Sequence, residues 1–153
     1  MIFSRFWNFT TDNMSKTVFN KIIAKLERLD EYLRYLADVQ KVNKKSFLND
    51  YRFYGLAERY LQLAIEVILD VGKLIIITEK LEKPEDNQGI FDILGNRKVL
   101  SKSLVASLRG IAGFRNILVH DYEKIDRKIV YEKLRQCAGD FKIFRRQIAR
   151  FLR

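Results

Sequence analysis

The feature that most constrains this chain is how little in it can break a helix. Pro84 is the single proline in 153 residues, and there are only seven glycines. Proline removes a backbone donor and clashes inside a helix, and glycine weakens one, so their scarcity favours few, long helices. Apolar residues recur at three- and four-residue intervals over most of the length, the period of an amphipathic helix rather than of a strand.

Val18, Ile22, Leu26, Leu29, Leu33 and Leu36 predict a first helix over 16–39, beginning just after Met14-Ser15. After the polar segment 40–45, a second and longest helix is expected over 46–79, with Leu56, Tyr60, Leu63, Val67, Val71 and Leu74 as its apolar stripe. It ends on the β-branched run Ile75 to Thr78, but one isolated strand would have no partner. The segment 83–89 around Pro84 reads as a connection, followed by a short helix at 90–94 that Gly95-Asn96 closes. A third long helix is expected over 99–118, with Leu100, Leu104, Leu108, Ile111 and Leu118 inward. Gly110 and Gly113 lie within its pattern as a pair that permits close packing. The last helix, 126–151, carries Val130, Leu134, Cys137, Phe141, Phe144, Ile148 and Phe151 in four-three alternation behind the candidate N-cap Asp126. The expected fold is all-α, an antiparallel four-helix up-and-down bundle with a short extra helix. Residues 1–14 are set aside as an N-terminal extension or mis-assigned start, and 15–153 form one domain.

A hydrophobic content of 48% supports a substantial core. One cysteine makes no intramolecular disulfide, and Cys137 falls on the apolar stripe of the last helix, so it is read as a core residue. The start of the chain has no long apolar run and no small-residue cleavage site, and the run Leu74 to Ile77 is far short of the roughly 20 residues that span a bilayer. A cytoplasmic protein without a membrane segment is expected. The formal charge is +10, and residues 126–153 carry nine Lys/Arg against three Asp/Glu, or +6. Such an excess favours a polyanion such as RNA, although a solvated basic face that only maintains solubility has the same composition.

The sole histidine lies in Phe114-Arg115-Asn116-Ile117-Leu118-Val119-His120-Asp121-Tyr122. An imidazole moves protons near neutrality, and a guanidinium clamps phosphate with a planar fork of donors, so Arg115 and His120 suit phosphodiester chemistry. Five residues on an unbroken helix leave about 140° between them. They converge only if the helix ends near 119–121, or if a second copy of the chain supplies one of them, and both are expected together. The alternative is structural, with Arg115 at a helix end, His120 capping the last carbonyls and Tyr122 an ordinary packed aromatic.

Arg59, Glu66 and Asp70 share one face of the second helix. They form surface pairs or lean toward Arg115 and His120, where a carboxylate orients a basic group. A di-metal reading fails because such bundles need two Glu-x-x-His pairs, and Ile117 stands where the one glutamate would be. No phosphate loop and no nucleophile elbow occurs around Ser101, Ser103 or Ser107. No metal or other cofactor is expected.

The string from Arg115 to Tyr122 resembles the R-x4-H-x-Y signature of HepT-type HEPN toxins, small helical ribonucleases paired with a nucleotidyltransferase antitoxin, MntA. Asn116 directly after the arginine fits the wider HEPN pattern, and Glu58-Arg59 with Glu66 and Asp70 resembles that family's E-R…E…D helix. The likeness covers about residues 15–150. It implies a metal-independent endoribonuclease toxin acting on tRNA or mRNA, in which two subunits of a homodimer form a cleft. His120 would then be the acid or base at the ribose 2′-hydroxyl, Arg115 would stabilise the pentacovalent phosphate, and Asn116 would orient one of them. Tyr122 would accept AMP from the antitoxin. The competing expectation is a non-catalytic helical module that binds a nucleotidyltransferase or nucleic acid through its basic last helix.

Overall fold

The computed structural model describes residues 14–120 and 125–153, and the regular structure among them is entirely α-helical. In chain order the helices are α1 (Lys16–Gln40), α2 (Lys44–Asn49), α3 (Tyr51–Thr78), α4 (Asn87–Asn96), α5 (Lys102–Ser107), α6 (Ile111–His120) and α7 (Arg127–Phe151). Their starts are capped as the side chains require. Ser15 Oγ accepts from Val18 N–H at 3.2 Å, Asp86 Oδ1 from Gly89 N–H at 2.8 Å, and Asp126 Oδ1 from Lys128 N–H at 2.9 Å, each satisfying a donor with no partner in the first turn.

Side-chain pairings fix the directions. Lys25 meets Asp70 and Tyr35 stacks on Tyr60, so α1 and α3 run antiparallel. Asp30 takes a two-pronged contact from Arg145, at 3.0 to 3.2 Å. Gln40 donates to the Leu134 carbonyl, so α1 and α7 are antiparallel as well. Helix α3 is the axis of the bundle, packed against α1, α2, α4, α6 and α7.

That central position explains one difference from the expected pattern. The side of α3 that is buried runs through Ala57, Leu61, Ala64, Ile65, Val67, Ile68, Leu69, Val71, Gly72, Ile75 and Ile76. Of the expected stripe Val67 and Val71 are buried, but Leu56 is 44% exposed and Tyr60, Leu63 and Leu74 are half-buried at the edge. A helix enclosed by several neighbours buries a wide arc, and large side chains no longer mark its centre. At Gly72 an added Cβ would collide with Ile90, so the absent side chain is what lets α4 approach.

Two long helices of the expected scheme are each interrupted. Asp50 ends α2 with extended backbone, φ −119° and ψ 112°, and its carboxylate immediately caps α3. The helix expected over 99–118 is likewise two, α5 and α6, because Gly110 takes φ +85°, a left-handed conformation that glycine adopts at little cost. Among the described residues nothing lies within 4 Å of a Cβ built on Gly110 or Gly113, so the pair makes no packing contact there: Gly110 is where the backbone turns. The inward residues of that segment are nonetheless buried, from Leu100 to Leu118. The short helix is longer than expected, and Gly95-Asn96 lies inside it, with termination passing to Arg97 and to left-handed Lys98 at φ 60°.

The seam of α7 is buried throughout except at half-buried Phe151. Cys137 is 3% exposed in that seam, and burial pushes its thiol up to about 12. Among the described residues, no helix is long and apolar enough to cross a membrane.

Candidate active site

Gly110 decides where the site lies. By turning the chain between α5 and α6 it lays Ile111, Phe114 and Leu118 into the core, and these three anchors set the rotation of α6 against α3. Arg115, next in sequence to one anchor, is thereby directed at α3. Its Nη2 donates to Glu66 Oε1 at 3.1 Å. The same carboxylate oxygen accepts from Gln62 Nε2 at 3.1 Å, and Arg115 Nη1 lies 3.4 Å from Asn116 Oδ1. The guanidinium is therefore held from two sides.

The side chains of Arg115 and Glu66 are 27% and 32% exposed. An ion pair that accessible contributes at most about 1 kcal/mol to stability, so its main consequence is orientation. Arg115 Nε is buried with no hydrogen-bond partner among the described residues, which leaves the Nη groups as the donors a phosphate can reach.

Of the polar line expected on this face, one member reaches the arginine. Asp70 pairs instead with Lys25 of α1 at 3.1 Å, and exposed Arg59 makes no ion pair among the described residues. Sequence reading missed Gln62, which braces the carboxylate. Its signal was present in the four-residue spacing to Glu66, which places the two side chains side by side on a helix.

His120 is exposed in the last turn of α6. The helix ends where expected, yet His120 is still part of it and so stays about 140° around the axis from Arg115. The expected swing of the histidine back toward the arginine does not occur within one chain. Beside His120 on the outer face lie Asn116 and Ile117, the latter 44% exposed. Asp121 and Tyr122 lie outside the described residues. Among the described residues no group of three or more His, Cys, Asp or Glu is placed to hold a metal ion.

The family model described as "Ribonuclease HepT-like" matches residues 22–148. The chain belongs to the HepT-like ribonuclease family. Among curated relatives of this HepT-like chain, the tRNA nuclease HepT of Aphanizomenon flos-aquae is 28% identical over 131 residues, covering 86% of this chain and 89% of the relative. The mRNA nuclease HepT of Shewanella oneidensis is 26% identical over 113 residues, covering 72% and 85%. Among solved structures, the tri-AMPylated Shewanella oneidensis HEPN toxin in complex with its MNT antitoxin superposes with a TM-score of 0.73 at 25% identity, covering 90% of this chain and 99% of that one. A mutant MntA-HpeT toxin-antitoxin structure gives 0.75 at 25% identity, covering 84% and 97%.

One face of α6 thus presents an oriented guanidinium and another an accessible imidazole.

Proposed function

We propose that this protein is an endoribonuclease toxin that cuts tRNA or mRNA without a metal ion, and that its site closes in a homodimer. The observation that carries the reading is the split on α6: Arg115 is fixed toward α3 by Glu66, while His120 faces solvent. A second copy placed across α6 supplies the missing half, and exposed Ile117 beside His120 offers an apolar contact for it.

In this reaction His120 takes the proton from a ribose 2′-hydroxyl, and the 2′-oxygen attacks the adjacent phosphorus. The P–O5′ bond breaks and the 5′-oxygen leaves with a proton, giving a 2′,3′-cyclic phosphate and a 5′-hydroxyl. Charge on the pentacovalent phosphate is met by the Nη donors of Arg115, already oriented and therefore requiring little reorganisation. Asn116, in contact with Nη1, helps hold that orientation.

A nucleotidyltransferase antitoxin of the MntA kind neutralises the enzyme by transferring AMP to Tyr122, two residues past the histidine. Such a group adds negative charge and bulk two residues along the chain from the histidine, and its phosphate competes with substrate phosphate for cationic donors. The relatedness to an AMPylated HEPN toxin supports this part.

The test is cleavage of RNA by purified protein in the presence of a chelator, with product ends assigned by mass spectrometry. Cyclic phosphate ends are expected, and His120→Ala lowers the rate by about 10²- to 10⁴-fold. Equal rates for the wild type and His120→Ala would reject the assignment.

A further inference from the structure

The strongest unexplained feature lies at the other end of α7. A groove of about 370 Å³ opens between the α4–α5 connection and the last turn of α7, lined by Lys102, Arg150, Arg153 and Phe151 with Ser101 and Gln147, and among the described residues no Asp or Glu lines it. Its floor is fixed by a reciprocal clasp: Gln147 Oε1 accepts from Ser101 N–H at 2.8 Å, and Gln147 Nε2 donates to Ser101 Oγ at 3.0 Å. Lys102, Arg150 and Arg153 are exposed and form no ion pair among the described residues.

Several basic residues elsewhere in this protein are engaged within the fold. Arg115, Arg145 and Lys25 answer Glu66, Asp30 and Asp70, and Arg127 lies over the Tyr54 ring with its donor on the Leu48 carbonyl. Lys102 at the start of α5 and Arg150 and Arg153 at the end of α7 answer no carboxylate among the described residues and line the groove with a half-buried aromatic ring. Cations gain affinity for a polyphosphate by releasing its counterions, and a ring among them accepts an unstacked base.

We propose that this groove binds single-stranded RNA outside the cleavage site, with Lys102, Arg150 and Arg153 on successive phosphates and Phe151 against a base. The proposal rests on the ribonuclease reading and names where its substrate is held. The groove is built from the α4–α5 connection, the start of α5 and the end of α7, whereas Arg115 lies on α6 against Glu66 of α3, so the two are separate sites. A strand of several nucleotides engages both; a dinucleotide at the cleavage site does not need the groove.

The experiment uses a fluorescently labelled 20-nucleotide oligouridylate, with His120→Ala present in every binding sample so that cleavage does not intervene. Replacing Lys102, Arg150 and Arg153 together by Gln is expected to weaken binding at least about ten-fold. The slope of log affinity against log salt should become shallower by about 2, at roughly 0.7 per phosphate contact on a single strand. Arg153→Gln alone, outside the Arg127–Phe151 span of α7, should change the slope by about 0.7.

In the active background, KM for the 20-mer rises while cleavage of a dinucleotide stays at the wild-type rate. A control that removes Lys16, Lys21 and Arg34 should leave the slope unchanged. Equal weakening by the control would reduce the effect to overall charge and overturn the proposal, as would unchanged binding by the groove variant. Loss of nucleotidyltransferase binding with RNA affinity intact would assign the groove to a protein partner and reject it equally. If wild-type protein fails to cut any RNA, the ribonuclease reading falls, while the binding measurement still decides whether the groove holds RNA.

Discussion

Two basic regions of this protein use the same side chain in opposite ways. Along the α3–α6 contact, Arg115 is half-buried, held by Glu66 and braced through Gln62. At the end of α7, Arg150 and Arg153 stand exposed around a groove that no Asp or Glu lines among the described residues. The first arrangement gives up some attraction for phosphate in exchange for a fixed direction; the second keeps its charge and fixes little. Stabilising a transition state requires donors already in position, whereas gathering a polyanion requires charge that nothing else has answered.

The largest effect that separates the regions is expected for Arg115→Ala. Single-turnover cleavage should fall by about 10²- to 10³-fold, the usual cost of removing a pre-positioned donor, with RNA affinity little changed. A comparable loss from replacing Arg150 would erase the distinction. Next, Glu66→Ala should lower kcat by about ten-fold through loss of orientation, leaving KM and thermal stability near their wild-type values. Glu66→Gln keeps an acceptor for Nη2 and should restore most of the activity; if it is as poor as the alanine variant, the charge of Glu66 matters and not its geometry.

The smallest effect sharpens the comparison from the carboxylate side. Glu66 has a cation, whereas Glu79 is 8% exposed and neither of its carboxylate oxygens has a hydrogen-bond partner among the described residues. Burial raises the Glu79 carboxyl above its ordinary 4.5. The folded state therefore binds more protons than the unfolded state between that value and the raised one, so stability falls as pH rises through this window. Glu79→Gln should raise stability by about 1 kcal/mol at pH 7, since it removes an unanswered buried charge. Thermal melts at several pH values should show the advantage shrinking toward zero as pH drops below the ordinary carboxylate range. An advantage independent of pH would show that titration of Glu79 plays no part.

Much of the fold was legible residue by residue. The stripes of α1 and α7 are the buried ones, Ser15 and Asp126 cap as their side chains suggest, and Cys137 is a core residue. These features depend on local geometry, which a period of 3.6 residues encodes directly. What local pattern did not show was the interruption at Asp50 and at Gly110, because the apolar period continues across both breaks. Nor did it show the rotation of α3, whose most buried positions include Ala57, Ala64 and Gly72. Small residues carry little hydrophobic signal, yet they sit where neighbouring helices come closest.

The site divides along the same line. Sequence alone singled out the candidate groups, since one histidine and a nearby arginine leave few others, and it placed them too far apart around a helix to meet. Only tertiary structure decided that Glu66, and not Asp70, takes the guanidinium. That outcome depends on where Gly110 turns α6 and how Phe114 and Leu118 seat it against α3. A period fixes angles within one helix, but the distance between side chains on different helices is set by packing, and no spacing along the chain contains it.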